Sequence, residues 1–398
     1  MLCWLTLLVV SVSACGGQAA QSDASVAVVD GGVLDSAIVD QGSDMTTLDA
    51  NGVTTLRVHH PLTGHTLSVR GGSSPLDWTK GKPMVSVSDG VYQYQVTLPP
   101  TVAQLEWKPL VDDSTWSRGP NYVAVRGATV DVYPHFFTQA GTVKKLFASF
   151  HSTALNNDRV VWVYLPPSYD ENPLATFPVV YMQDGQNLFA AGVFGDNGWR
   201  VEHTLDAGAE DGSIREIIVV GPEVAAAPRW YEYTPTVDAS EMKGGSGDRY
   251  LTMLVDELKP QVDAMLRTRP ERAATGILGS SLGGLISAYA GCKKADTFAL
   301  VGEMSPSTWW DNEVILADVA AMTAPSPDKI YIDYDDDGLN DDGDGGDETD
   351  MLIGAYVQKG YVVGQNLMKV VQPGGMHSEM YWAQRLPGAL GFLFGKRP

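Results

Sequence analysis

The sequence predicts two folded parts: a small all-β sandwich, then an α/β domain whose mostly parallel sheet is covered by helices on both faces. Three observations carry this. Short runs of period-two alternation crowd the first third of the chain. Buried-type strands alternate with helical periodicity in the rest, the pattern of a parallel sheet wrapped by helices. The 398 residues are 44% hydrophobic and 19% charged, enough apolar material for more than one domain at ~100–200 residues each.

The chain opens on "MLCWLTLLVVSVSAC", an apolar run ending in small residues before Cys15. Residues 1–14 read as a signal peptide and are excluded from the fold. Val12, Ser13, Ala14 and Cys15 resemble the lipobox of bacterial lipoproteins, although no Lys or Arg precedes the apolar run. The resemblance implies lipid on Cys15 and a protein anchored in the cell envelope, at the outer membrane; an ordinary secretory signal would export it as well. Cys292 is then the single other cysteine of the mature chain, so no internal disulfide can form.

Residues 15–54 are small, acidic and free of aromatics, too polar to offset the entropy of ordering, and predict a flexible tether. Residues 55–137 hold the alternating runs "TLRVHH", "TLSVRG", "YQYQVTLP" and "VAVRGATVDVY", broken by Gly, Pro, Ser and Asp, which predict the antiparallel sandwich. This stretch resembles the starch-binding-like modules that precede many exported carbohydrate-active domains. Trp78, Trp107 and Trp116 are the residues that could stack on sugar rings, core packing being the other role open to them. From 138 to 398, "VVWVYLPP", "FPVVYMQDG", "EIIVVGPE", "ATGILGSS", "FALVGEMSP", "KIYIDYDDDG" and "LMKVVQPGG" read as buried strands. Between them, "YLTMLVDELKPQVDAMLRT" has a helical apolar face with Pro260 as a kink.

The formal charge of −21 argues against nucleic acid or an anionic membrane surface as partner, since both reward clustered Lys and Arg. A neutral or polymeric substrate is easier to accommodate.

The chemistry centres on "TGILGSSLGGL", a strand, then Gly279, Ser280, Ser281, Leu282 and Gly283, then a helix. Gly-x-Ser-x-Gly in that context is a nucleophile elbow: glycines flank a turn too tight for side chains, and the serine hydroxyl is pushed outward. In such a site the order along the chain is serine, acid, histidine. Six histidines precede Ser281 and His377 alone follows it, in "VVQPGGMHSEMYW", so His377 is the candidate base. The acid is expected in "IYIDYDDDGLNDDGDGGDETD"; Asp337 fits at the strand end, with Asp336 and Asp347 as alternatives. Two backbone N–H groups should form an oxyanion hole, one on Leu282 and one on Gln186 after Gly185.

The same acidic loop has the spacing of a calcium loop, with Asp333, Asp335, Asp337, Gly338, Asp341 and Asp344 at alternate and closing positions. Ten carboxylates lie between Asp333 and Asp350 with no Lys or Arg among them. Two readings stand: a structural calcium ion, or a solvated loop. No cofactor is needed for the chemistry itself.

Together "VYLPPSYD", "VVYMQDGQNLF", "IIVVGPE", "GSSLGGL", "SPSTWW" and "HSEMYW" resemble the exported putative-esterase family, which groups feruloyl and acetyl-xylan esterases, enterochelin esterases, esterase D and mycolyltransferases. The resemblance spans about 140–398 and implies an α/β-hydrolase fold, ester hydrolysis, and catalytic roles for Ser281 and His377. The leading expectation is an exported serine carboxylic-ester hydrolase that removes acyl groups from polysaccharide through an acyl-enzyme. A siderophore esterase and a non-catalytic glycan-binding surface lipoprotein are the competing expectations.

Overall fold

The computed structural model describes residues 48–225, 228–324, 326–336 and 345–395. The expected signal peptide and most of the tether therefore lie outside the described residues.

The first strand starts at Val53, two residues ahead of the predicted boundary, because Thr54 and Leu56 are already fully buried. The sandwich has one sheet in the order Val85–Ser88, Val91–Thr97, Val53–His59, Thr129–Val132. Its second sheet joins Lys82–Pro83, Leu67–Gly71, Gln104–Val111 and Thr115–Trp116, with Tyr122–Val125 also on Gln104–Val111. It is not wholly antiparallel, since Val53–His59 runs parallel to Thr129–Val132. Leu56, Val58, Val69, Leu98 and Trp107 fill the space between the sheets. Trp107 is thus a core residue, whereas Trp78 and Trp116 are exposed and lie 6.2 Å apart.

The second domain is built on eight strands: β1 Thr142–Ser152, β2 Asn157–Leu165, β3 Val179–Met182, β4 Ile218–Pro222, β5 Thr275–Ser280, β6 Leu300–Met304, β7 Lys329–Asp336 and β8 Leu367–Pro373. Their order across the sheet is β1-β2-β4-β3-β5-β6-β7-β8, antiparallel at β1, β2 and β4 and parallel from β4 onward. Seven of these strands are the predicted ones. Strand β1 is the addition: an edge strand with two register shifts and mostly exposed side chains, so its apolar pattern is weak.

Successive residues of the central strands serve opposite faces. Ile277 and Tyr181 pack with α2 (Leu282–Lys293) and α3 (Gly346–Gln358), while Leu278 and Val180 pack with α1 (Val201–Asp211) and α4 (Glu379–Phe394). At Pro260 the structure replaces a sharp kink with a π-helical stretch, Met253–Leu258, between the α-helical segments Gly247–Thr252 and Lys259–Met265. A wider turn accommodates the ring and the missing N–H that would otherwise break the helix. Among the described residues no helix is long and apolar enough to cross a membrane.

Sandwich and α/β domain are joined through Glu171 and Asn172. Glu171 accepts the backbone N–H groups of Phe136, Phe137 and Thr138 at 2.6, 3.0 and 2.8 Å, and His60 Nε2 lies 3.4 Å away. Asn172 is fully buried and donates to the carbonyls of His59 and Pro134. Burial would raise the Glu171 pKa, but His60 and the three N–H groups outweigh it and hold the carboxyl down to about 2.

A carboxyl depressed on folding stabilises above its unfolded pKa, near 4.5, and that contribution disappears as pH falls toward about 2. Glu171→Gln should therefore cost about 2–3 kcal/mol at pH 7 in urea unfolding. The deficit against wild type should close as pH drops from 4.5 to 2. A deficit independent of pH would show that the negative charge is not what holds the seam.

Candidate active site

Ser281 sits where β5 turns into α2, at φ 59° and ψ −124°, far from the basins an L-residue prefers. Glycines on both sides make this crossing feasible. A Cβ on Gly279 would lie 2.3 Å from Gln183 Oε1 and 2.7 Å from the Gly283 carbonyl, and one on Gly284 would lie 3.0 Å from the Met304 carbonyl. Three hydrogen bonds hold the strained backbone: Ser281 N–H donates to Met304 O at 2.9 Å, and Ser281 O accepts from Leu285 and Ser307 at 3.0 Å each. The side chain is half-buried, with Oγ 3.4 Å from Ser307 Oγ.

Beside it, the loop after β3 makes a second tight turn at Asp184, φ 58° and ψ 50°. Gly185 is required there, since a Cβ would come 2.1 Å from the Gly221 carbonyl. Arg229 binds the Asp184 carboxylate through Nε at 2.9 and 3.0 Å and Nη2 at 2.8 Å, and its Nη2 also donates to Ser280 O at 2.9 Å. One guanidinium thus ties the Gln186 loop to the strand end before Ser281. Leu282 and Gln186 both lie in the first turn of a helix, where an N–H has no intrahelical acceptor and the dipole favours negative charge.

His377 follows β8, three strands away from β5 in the sheet. Trp382 of α4 supports it from below, edge-on to the His377 ring with centroids 4.9 Å apart. Trp382 Nε1 donates to Ser305 Oγ at 3.0 Å, and Ser305 belongs to the same post-β6 loop that reaches Ser281 through Ser307. The predicted serine, histidine and both N–H positions therefore share the carboxyl edge of the sheet.

Two of the acids expected in the calcium loop behave differently from that expectation. Asp333 and Asp335 are on strand β7, buried, and both turned onto Arg385 of α4. Arg385 Nε lies 3.0 Å from Asp333 Oδ2, an ion pair without hydrogen-bond alignment, Nη1 donates to Asp335, and Nη2 donates to Ser305 Oγ at 2.8 Å. For Asp333 and Asp335 this corrects the calcium-loop reading: both belong to a strand, and the cation they meet is an arginine from another element. Asp337, Asp341 and Asp344 lie outside the described residues. Among the described residues no group of three or more His, Cys, Asp or Glu is placed to hold a metal ion. Of the alternative acids, Asp336 is exposed at the end of β7, its carbonyl accepting the Gly374 N–H at 2.6 Å, and Asp347 is exposed in the first turn of α3.

Sequence reasoning missed Arg385, Ser305 and Arg229. Arg385 had a signal, a lone guanidinium in the apolar run "WAQRLPGALGFLF" of α4. It missed Glu303 too, fully buried in β6 and bonded by Tyr356 Oη at 2.7 Å, where burial pushes the carboxyl up to about 8 despite that bond.

Burial raises the Asp333 pKa to about 6 against the pull of Arg385, so the acid is ionised at neutral pH. Arg385→Met should cost about 3–5 kcal/mol at pH 7 by leaving buried carboxylates without a cation. The loss should shrink at pH 5, where Asp333 takes up a proton, and with Asp333→Asn added. Denaturant unfolding of the single and double variants checks this; an equal loss in both would assign Arg385 a packing role alone.

The Esterase family model, described as "Putative esterase", matches residues 152–393. The Bacillus subtilis (strain 168) protein YbbA is 27% identical over 249 residues, which cover 59% of this chain and 92% of the relative. A siderophore enterobactin esterase of Emericella nidulans is 28% identical over 155 residues, 35% of this chain and about half (49%) of the relative. Among solved structures, the enterobactin esterase FES of Shigella flexneri superposes with a TM-score of 0.51 at 16% identity, covering 82% of this chain and 87% of that one. The ferulic acid esterase AmCE1/Fae1A of Anaeromyces mucronatus gives 0.51 at 19% identity over 65% and 92%. At these identities the structures establish the α/β-hydrolase fold. The family match takes in more than half of the chain, with Ser281 and His377 inside it, and the chain belongs to the putative-esterase family.

Proposed function

We propose that the protein is a serine carboxylic-ester hydrolase. The observation that carries this is the backbone of Ser281, held at φ 59° and ψ −124° at the carboxyl end of β5 by glycine contacts and three hydrogen bonds. Strain of that kind persists where the surrounding structure enforces it, and here it presents a hydroxyl at the sheet edge. In the proposed reaction His377 takes the Ser281 proton as Oγ attacks the ester carbonyl. The N–H groups of Leu282 and Gln186 receive the oxyanion, the alcohol leaves with the proton from His377, and water then cleaves the acyl-enzyme. The acid that orients His377 comes from the end of β7, at Asp337 or its neighbour Asp336, with Asp347 the remaining alternative.

For the substrate, we favour acyl groups on polysaccharide. The exposed pair Trp78 and Trp116 on the sandwich supports this reading, as does a net charge that disfavours polyanions. A siderophore ester is the second reading, supported by the names of the relatives and by a superposition on the Shigella flexneri enzyme that extends to 82% of this chain. Export, with lipid on Cys15, remains part of the proposal; mass spectrometry of the mature N-terminus tests it.

Ser281→Ala and His377→Ala should each lower turnover of p-nitrophenyl acetate by several orders of magnitude, up to ~10⁶, with no further loss when combined. More than a few per cent residual activity in Ser281→Ala overturns the assignment, and inactive wild type would leave a glycan binder. Among Asp336→Asn, Asp337→Asn and Asp347→Asn, the largest loss marks the acid. Methyl ferulate against a triscatecholate ester separates the two substrate readings by kcat/KM.

A further inference from the structure

Two of the groups in the proposed reaction come from distant strands. Gln186 follows β3 and His377 follows β8, four strand spacings apart in the sheet, about 19 Å at roughly 4.8 Å each. An oxyanion N–H and a general base have to meet one ester with a tolerance of about 0.5 Å. The sheet alone does not set the spacing between the two loops that carry them. Helix α4, which follows His377, lies against β6, β7 and α1, and so brings the segment after β8 near the end of the loop after β3.

A side-chain hydrogen bond closes the remaining gap. Asn187, next to Gln186, donates from Nδ2 to Oε1 of Glu379, 192 residues further along the chain and two beyond His377, at 3.1 Å. The amide can face Glu379 only through its nitrogen, because the reverse orientation would set Oδ1 against a carboxylate oxygen. The backbone at Asn187 is fixed on both sides: its N–H donates to Asp184 O at 2.8 Å, and its carbonyl accepts the Trp199 N–H at 2.9 Å. Gly198 packs against that carbonyl so closely that a Cβ would lie 2.3 Å from it. A second contact joins the same two segments. Trp199 and Trp382 are both buried with ring centroids 5.8 Å apart, and Trp382 is the residue that stands edge-on to His377. Asn187 takes part in both links, through its side chain in one and its carbonyl in the other.

Stability alone gives a poor account of an asparagine here. Its Oδ1 is buried and accepts no hydrogen bond among the described residues. An unsatisfied buried acceptor costs free energy, and an aliphatic side chain would avoid that cost. What the amide supplies in return is the bond to Glu379. We infer that Asn187 and Glu379 are positioning residues of the proposed ester-hydrolysing site, their bond fixing the Gln186 N–H relative to the His377 imidazole. The inference rests on the hydrolase reading of Ser281. Each residue acts through the catalytic group near it in the chain, not on the ester itself. Acylation and deacylation both pass through an oxyanion and both use His377, and the oxyanion charge develops only on the way to the transition state. Loosening the bond therefore slows both steps and leaves ground-state binding unchanged.

The test is steady-state hydrolysis of p-nitrophenyl acetate by the purified mature protein, with kcat and KM separated and thermal unfolding measured for every variant. Asn187→Ala should lower kcat roughly tenfold to a hundredfold, with KM within about twofold and Tm within about 2 °C of wild type. Glu379→Gln keeps an acceptor for the amide and should stay within about threefold of wild-type kcat. Asn187→Asp sets two carboxylates face to face and should lose more than Asn187→Ala. Adding Glu379→Gln to Asn187→Asp should recover activity, since the new amide can donate to the new carboxylate. Asn187→Ala combined with Glu379→Ala should lose no more than the worse single variant. A wild-type kcat in Asn187→Ala, a change confined to KM, a loss that tracks Tm, or no recovery in the Asn187→Asp, Glu379→Gln pair would each overturn the inference while leaving the hydrolase reading in place. Wild-type protein that hydrolyses no ester, or an active Ser281→Ala, would overturn the hydrolase reading and this inference with it.

Discussion

One backbone crossing sets the geometry at the carboxyl edge of the sheet. Strand β5 must reverse into α2 within a single residue while α2 packs flat on the sheet, and nine of its twelve residues are buried. That leaves no space for side chains at Gly279 or Gly284, and it brings Gln183, Met304 and Pro306 into contact with the turn. The loops after β3 and β6 are shaped by this contact. Ser307 reaches Ser281 from one of them, and Gln186 is delivered from the other, with Arg229 bridging Asp184 to Ser280.

Charge in the interior is organised around guanidinium groups. Arg229 holds Asp184, Arg159 forms a buried two-pronged pair with Glu232 at 2.9 and 3.0 Å, and Arg385 faces both Asp333 and Asp335. Breaking a buried pair leaves an uncompensated charge, whereas the intact pair contributes little net stability, so these arginines serve mainly to fix geometry. Arg385 shows how: it joins α4, β7 and the post-β6 loop at Ser305, and Trp382 one turn earlier on α4 carries the His377 ring. The base of the proposed triad is thus mounted on the same helix whose arginine neutralises the acidic strand.

The sandwich is more than an appendage on a linker. Glu171 and Asn172 satisfy backbone groups of the segment that leaves the sandwich. A shared polar seam of this kind fixes the orientation of the exposed Trp78 and Trp116 relative to the α/β domain, which a tether would leave free.

The sequence by itself determined the succession of elements and the short motifs. Period-two runs, β-α alternation, the Gly-Ser-Ser-Leu-Gly turn and a single histidine after it are local patterns, and local sterics impose them. It could not find β1, whose exposed edge position weakens its apolar pattern, nor the π-helical turn before Pro260, which depends on packing. It also misjudged the partners of Asp333 and Asp335. Asp-x-Asp spacing looks the same whether the carboxylates converge on an ion or point into the core, because period two on a strand sends alternate residues to one face. Only the tertiary structure decided between these, by bringing Arg385, fifty residues downstream of Asp335, against both acids. The bond from Trp382 to Ser305 was hidden for the same reason: it joins residues far apart in sequence, and no periodicity records such a contact.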